Sequence, residues 1–360
     1  MYAQIKKHIP LNLKRVLRST EYSCKFTVNR YLVRRMVAQR ITRVDDRKIP
    51  MPRMEIRGFM VVRNESLRLP FMLKYYFEHG VDRIFVLDND SDDNTRSIVL
   101  SFNNTHLFHT KDIYAHQAGW IDLLLRRYGR DCWCLVVDAD EMLIYPDFET
   151  VSLRALCNFL DNGCFDALDC VLLDMYPGSA LTEIKYEQGS NPLGIASWFD
   201  RPSYAEGCAG PYYVPQQNIL HEGPPRLFGG MRKRVFDANP CISKFPLVSF
   251  HNPMFLSPGT HFVQGARVAD LRGALLHFKY LGDFFENVKQ EVARGQRAFG
   301  NHLEYNRYLE VATRMPDLNF LGDVSVEFSG SGQLVNLGIM KKTLAFEEFT
   351  KYYKEDLSAG

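Results

Sequence analysis

Short apolar runs alternate with longer amphipathic ones over the first part of the chain. Phe59-Met60-Val61-Val62, Arg83-Ile84-Phe85-Val86-Leu87, Thr105 to His109 and Cys132 to Val137 have the length and side-chain types of buried strands. Residues 67–79, 94–102 and 115–128, which lie between them, carry helical spacing. Strand, helix, strand, helix predicts an α/β fold: a Rossmann-like, mostly parallel sheet flanked by helices. A further α/β unit is expected at 153–160 and 167–173. Residues 174–267 are rich in Gly, Pro and aromatics with little periodicity, which predicts irregular loops and short strands over the sheet edge, where acceptor recognition is expected. Leu275 to Leu281 closes the core, with helices over 283–297 and 302–313 and a charged helix near 346–353. The division that follows is a basic extension (1–50), a core (51–315) with one part at 55–146 and a second at 150–281, and a tail (316–360).

Each apolar run of the first half ends in polar residues: Arg63-Asn64-Glu65, Asp88-Asn89-Asp90 and Asp138-Ala139-Asp140-Glu141. In an open α/β sheet the strand C-terminal ends line the ligand crevice, so the three clusters should converge. Paired carboxylates with few other ligands suit Mg2+ or Mn2+, which takes remaining ligands from water and substrate phosphates and can neutralise a leaving diphosphate. A bare Asp-x-Asp is also just an acidic loop after a strand; its place behind three α/β units is what favours chemistry. Asp88 reads as a binding residue and Asp92 as the cap of the next helix. Arg63 is a surface charge or, beside the crevice, a ligand contact. His277 is a hydrogen-bonded core histidine or a third metal ligand, and Lys279, two residues on, would share its face on a strand, so one of them should meet phosphate if either does. Arg226 to Arg234 reads as a basic loop with a flexible glycine pair; Arg232 in it could cover a diphosphate or meet an acidic acceptor, or the loop is simply solvated. Lys244 carries the same ambiguity.

Charge refines the ends of this picture. The 360 residues carry a formal net charge of +2, but residues 1–50 hold 13 Lys/Arg against 3 Asp/Glu. Basic residues there mix with Leu, Val and Ile at helical spacing, which fits either peripheral contact with an anionic membrane through residues 1–45 or helices packed on the body. No apolar stretch reaches the roughly 18 residues of a membrane span. Eight cysteines without a Cys-x-x-Cys pair suggest buried, reduced thiols. A cytoplasmic protein is expected, peripheral at the inner membrane face if the basic extension binds lipid, with no nucleic-acid partner.

Val61-Val62-Arg63-Asn64-Glu65, Leu87 to Thr95 and Asp138 to Leu143 together resemble the family 2 glycosyltransferases, particularly the Glyco_tranf_2_4 subgroup, whose members run RNE, then DN-x-S-x-D-x-T at a strand end, then DADE. The resemblance covers Ile56 to Tyr145, and Ala274 to Leu281 is similar to a His-containing segment that members carry after the core. It implies a GT-A fold, a nucleotide-diphospho-sugar donor with UDP-sugars foremost, a glycan or lipid-linked acceptor, Mn2+ or Mg2+, inversion at the anomeric carbon, and a setting in polysaccharide assembly. Carried over by position, Glu65 and Asp88 would contact the donor's base or ribose, and Asp138 and Asp140 the metal and diphosphate. The family's Glu-Asp base motif is not apparent here. Asp174, Asp200, Glu206 and Glu222 lie in plausible loops, with Asp174 and Glu206 the base candidates. Two competing readings are a haloacid-dehalogenase-like phosphatase using the Asp138/Asp140 pair, disfavoured by Met142 and by the late position of the motif, and a GT-A scaffold without activity that binds a glycan or a membrane.

Overall fold

One mixed sheet holds nine of the strands among the described residues. In chain order they are β1 (Thr42–Arg43), β2 (Ile56–Val62), β3 (Arg83–Asp88), β4 (Thr105–His109), β5 (Trp133–Val136), β6 (Glu141–Ile144), β7 (Ala167–Asp174), β8 (Ser243–Ser249) and β9 (Val268–His277). They belong to a computed structural model that describes residues 33–51, 54–207, 224–252, 254–256, 260–296 and 301–359. Across the sheet the order is β1-β4-β3-β2-β5-β8-β7-β9-β6. β2, β3, β4 and β5 are mutually parallel, β7 and β9 are parallel to each other, and β8 runs antiparallel to both β5 and β7. The edge strands β1 and β6 are also antiparallel to their neighbours.

The first half follows from its pattern. Every residue of β2 is buried, as its unbroken apolar run requires of a strand covered on both faces. Helices α1 (Leu69–Glu78), α2 (Thr95–Ser101) and α3 (Gln117–Tyr128) are the crossovers. Pro70 sits in the first turn of α1, where its missing N–H would have had no intrahelical partner. The chain steps outward from β2 to β3 and β4, then returns to place β5 on the other side of β2. That reversal between β2 and β5 is a topological switch point, the usual place for a ligand crevice. The N-cap of α2 is Asn94, not Asp92, and its own side chain makes no capping bond; the residue before it supplies an acceptor instead. Asp93, not Asp92, accepts from the Thr95 backbone N–H at 2.9 Å, while its other oxygen accepts from the Ser66 N–H at 3.0 Å.

The second half is less regular. Helix α4 (Leu153–Asn162) starts at Ser152, whose Oγ accepts from the Ala155 N–H, and buries Leu153, Leu156, Cys157 and Leu160 against the sheet. Strand β8 lies inside the stretch expected to be irregular. Its sequence, Ser-Lys-Phe-Pro-Leu-Val-Ser, argues against a central strand, yet Pro246 falls where the register against β7 shifts, the position a strand tolerates proline. The expected basic loop over Arg226 to Arg234 is instead a short strand, Arg226–Gly229, and a helix α5 (Met231–Phe236). Gly229 and Gly230, at φ 105° and 67°, make the left-handed kink between them, so the pair is a fixed bend that needs glycine.

Only residues 137–140 connect β5 to β6, four strands away across the sheet. A flat sheet would set those strands ~19 Å apart at about 4.8 Å per strand, slightly more than the ~18 Å that five extended residue steps can reach. The far strands must therefore curl back over the C-terminal end of β5. The Phe278 N–H, just beyond β9, reaches the Asp140 carbonyl at 2.7 Å, so the acidic turn is pinned beneath the curl.

Helices α6 (Phe284–Arg294), α7 (Asn301–Arg314), α8 (Ser331–Asn336) and α9 (Leu344–Ala359) complete the chain. Phe346 of α9 is fully buried against Phe159 of α4. Residues 33–43 pack on the body: Val37 is fully buried, Arg40 pairs with Asp112 at 2.6 Å, and β1 covers the free edge of β4. Residues 1–32, the rest of the candidate membrane segment, lie outside the described residues, as does Glu222. Among the described residues no helix is long and apolar enough to cross a membrane, and six cysteines are free thiols, four of them buried.

Candidate active site at the acidic turn

The ends of β2 and β3 are knitted together by short-range contacts. Asn64 and Asp90 adopt left-handed conformations at φ 53° and 59°, which Asn and Asp tolerate better than other side chains. Arg63 donates one guanidinium nitrogen to the carbonyls of Asn89 and Asp90, both at 2.7 Å. Glu65 N–H donates to Thr95 Oγ1 and Asn64 N–H to Ser91 Oγ. Asp88 is fully buried, and one oxygen accepts from Arg96 Nε at 2.6 Å and lies 3.2 Å from His109 Nδ1. Arg63 and Asp88 thus shape the two loops, with the Asp88 carboxylate already engaged.

At the acidic turn, Asp138 keeps 41 % of its side chain exposed, and among the described residues its carboxylate accepts no hydrogen bond; its cationic neighbour is Lys244 Nζ at 3.6 Å. Lys244, on β8, is itself fully buried and grips both oxygens of Glu141 at 2.8 and 2.6 Å. Glu141 in turn accepts the Asp138 backbone N–H at 2.8 Å. Burial works against the Lys244 charge, but Asp138 and Glu141 beside it hold its pKa above the ordinary lysine value.

Asp140 faces His277 at the end of β9, with Oδ2 and Nε2 3.3 Å apart. The other ring nitrogen of His277 is 2.7 Å from Asp174 Oδ1, and Arg232 Nε donates to Asp174 Oδ2 at 2.8 Å. Arg232 continues to Glu304 at 3.2 Å, which also accepts from Tyr308 Oη. The result is a buried chain of alternating charge running back from the acidic turn. Burial would lower His277, but Asp140 and Asp174 on its two sides push it up to about 9. Burial would raise Asp174, yet Arg232 and His277 bring it down to about 2. With both oxygens taken, Asp174 is suited to orienting His277 and unsuited to removing a proton. The other base candidate, Glu206, is exposed on a two-stranded ribbon, Tyr204–Gly207 against Arg226–Gly229. Lys279 lies beyond the end of β9, so it does not share a strand face with His277; its Nζ sits 4.4 and 4.8 Å from the ring centroids of Tyr305 and Tyr308.

Two further residues, Arg68 and Arg294, join the site without any sequence signal beyond their type. Arg68, buried at the start of α1, makes a two-pronged pair with Asp283 at 2.8 and 2.5 Å and donates to the Phe278 carbonyl at 3.2 Å. Because Phe278 also bonds Asp140, this ties β2's end to the acidic turn. Arg294, at the end of α6, donates to Asn89 Oδ1 at 2.7 Å, so α6 is fastened to both strand-end clusters. Glu65 lies beside Arg68, its Oε2 3.7 Å from Arg68 Nη1. Its Oε2 is buried without a hydrogen bond, and burial, opposed by Arg68 but reinforced by Asp140, Asp283 and Asp138, pushes its carboxyl up to about 8.

Among the described residues no three His, Cys, Asp or Glu side chains gather closely enough to hold an ion on their own. The hard oxygen donors of Asp138 and Asp140, one of them open to solvent, fit a small divalent ion that draws its other ligands from water and phosphate. His277 Nε2 is turned toward Asp140.

No family model and no curated protein matches the chain. A mannosyltransferase from Pyrobaculum calidifontis, solved in complex with GDP-Man and Mn2+, aligns over 44% of this chain and 46% of its own at 17% identity and a TM-score of 0.27. A 4-diphosphocytidyl-2C-methyl-D-erythritol synthase aligns over 35% of this chain and 64% of its own at 12% identity and a TM-score of 0.24. This chain thus spans about half the length of the first and under two thirds of the second, and the functional reading rests on the site itself.

Proposed function

We propose that the chain is a metal-dependent glycosyltransferase of the GT-A type, moving a sugar from a nucleotide-diphospho-sugar, with UDP-sugars foremost, to a glycan or lipid-linked acceptor. The observation that carries this reading is the acidic turn: it lies at the topological switch point, offers Asp138 and Asp140 to the crevice, and faces Glu65 from the neighbouring strand end. Asp138 and Asp140 would hold Mn2+ or Mg2+, which when bound supplies positive charge to the departing diphosphate. His277, oriented by Asp174, holds the Asp140 carboxylate in place, and Lys279 and Arg68 add positive potential beside it. The Arg63-braced loops after β2 and β3 would form the nucleotide end, with Glu65 the carboxyl that reaches it.

A thermal-shift screen of UDP-, GDP-, CMP- and dTDP-sugars with and without Mn2+ tests the reading, because a ligand that binds only the folded state raises apparent stability by mass action. One donor class should raise Tm in the presence of Mn2+, and Asp140→Ala should abolish that rise. Absence of any shift across the panel would refute the assignment.

A further inference from the structure

The buried ion pair behind the acidic turn has more structure than a core needs. Lys244 and Glu141 are both almost wholly buried, and their charges meet at 2.6 Å. Taking two charges out of water is costly, and apolar residues of similar volume commonly serve a core as well or better. Packing alone therefore does not account for an ammonium here. The pair instead joins two distant pieces of chain: β8, and the turn after β5 where it enters β6 at Glu141. Glu141 accepts the Asp138 N–H at 2.8 Å, the Glu141 N–H reaches the Asp138 carbonyl at 3.3 Å, and Lys244 Nζ stands 3.6 Å from the Asp138 carboxylate. Asp138, Asp140 and Glu141 crowd three carboxylates into four residues. Lys244 stands between Asp138 and Glu141, and His277 takes Asp140 from the other side.

We propose that Lys244 is a positioning residue: an internal ammonium, clamped by Glu141, that fixes where Asp138 stands so the turn meets a divalent ion and a nucleoside diphosphate already formed. This rests on the metal-site reading above and adds a part to it, since Lys244 is too buried to touch either ligand.

The test uses the full chain and two variants, Lys244→Met/Glu141→Gln, which removes both charges together, and Glu141→Gln, which keeps an acceptor for the Asp138 N–H. Mn2+ binding is followed by loss of the free-ion electron paramagnetic resonance signal with UDP or GDP present, and urea denaturation is measured alongside. The double variant should fold and bind Mn2+ at least about tenfold more weakly, the effect expected when a group orienting a metal ligand is lost. Glu141→Gln leaves Asp138 as the ammonium's sole carboxylate partner in this cluster and should also weaken binding, which decides the matter if the double variant does not fold. Mn2+ affinity equal to wild type in these variants, with only stability changed, would show a purely structural pair; tighter binding would show that the ammonium merely opposes the ion. Wild-type protein that takes up no Mn2+ with either nucleotide would overturn the metal-site reading itself, and this role with it.

Discussion

The two halves of the crevice solve the same problem, placing charge at strand ends, in opposite ways. At the ends of β2 and β3, most polar groups find partners close in sequence, Arg63 meeting carbonyls 26 and 27 residues away and Arg96 meeting Asp88 across 8, while Arg68 with Asp283 and Arg294 with Asn89 are the long-range exceptions. Around the acidic turn the separations are 103 for Lys244 with Glu141, 103 for His277 with Asp174 and 58 for Arg232 with Asp174. The first half is held mainly by loop geometry and neutral acceptors; the second is held by buried ions that must all be present together. Stability and pH sensitivity should therefore concentrate in the second half.

Arg232→Met should have the largest effect. It removes the guanidinium that Asp174 and Glu304 share, leaving Asp174 with His277 alone and Glu304 without its ion-pair partner, a change that costs about 3–5 kcal/mol; urea denaturation reads it directly, and a loss near zero would show that the buried chain relaxes. Next comes pH. His277, raised to about 9 from an unfolded value near 6.5, contributes stability that is fully present below pH 6.5 and is lost as pH climbs toward 9. In metal-free protein the loss should be about 3 kcal/mol, since a pKa difference of one between folded and unfolded chain is worth roughly 1.36 kcal/mol, and His277→Gln should flatten the curve over that window. An unchanged slope in the variant would assign the dependence elsewhere. Arg63→Met removes hydrogen bonds to two carbonyls and should cost about 1–3 kcal/mol; a cost matching that of Arg232→Met would erase the contrast between the halves. Ser152→Ala, which only uncaps α4, should cost about 1 kcal/mol.

The same contrast explains what could be read from the sequence. Strands β2 to β5, their crossovers and the polar clusters at their ends were legible because apolar runs and helical spacing are local signals. β8 was not, since Pro246 and Lys244 each argue against a central strand until the register shift and the Glu141 partner are known. β6 was hidden because its four residues read as a continuation of the acidic motif. Arg68 gave no sign of its role, its Asp283 partner being 215 residues away. Asp174 was visible as a loop carboxylate and base candidate, but only the fold shows it at the end of β7 with His277 and Arg232 closing on both of its oxygens, which makes it an orienting group. The Asp138-x-Asp140 pair was visible from the start; what holds each carboxylate in place was not.

Isothermal titration of the responding nucleotide-sugar into wild type and Asp140→Ala, with and without Mn2+, tests the central claim most directly. The expected result is binding that needs Mn2+ and weakens at least about a hundredfold in the variant, consistent with loss of a charged ligand worth ~3 kcal/mol. Binding that ignores both Mn2+ and the substitution would contradict a metal-diphosphate site at the acidic turn.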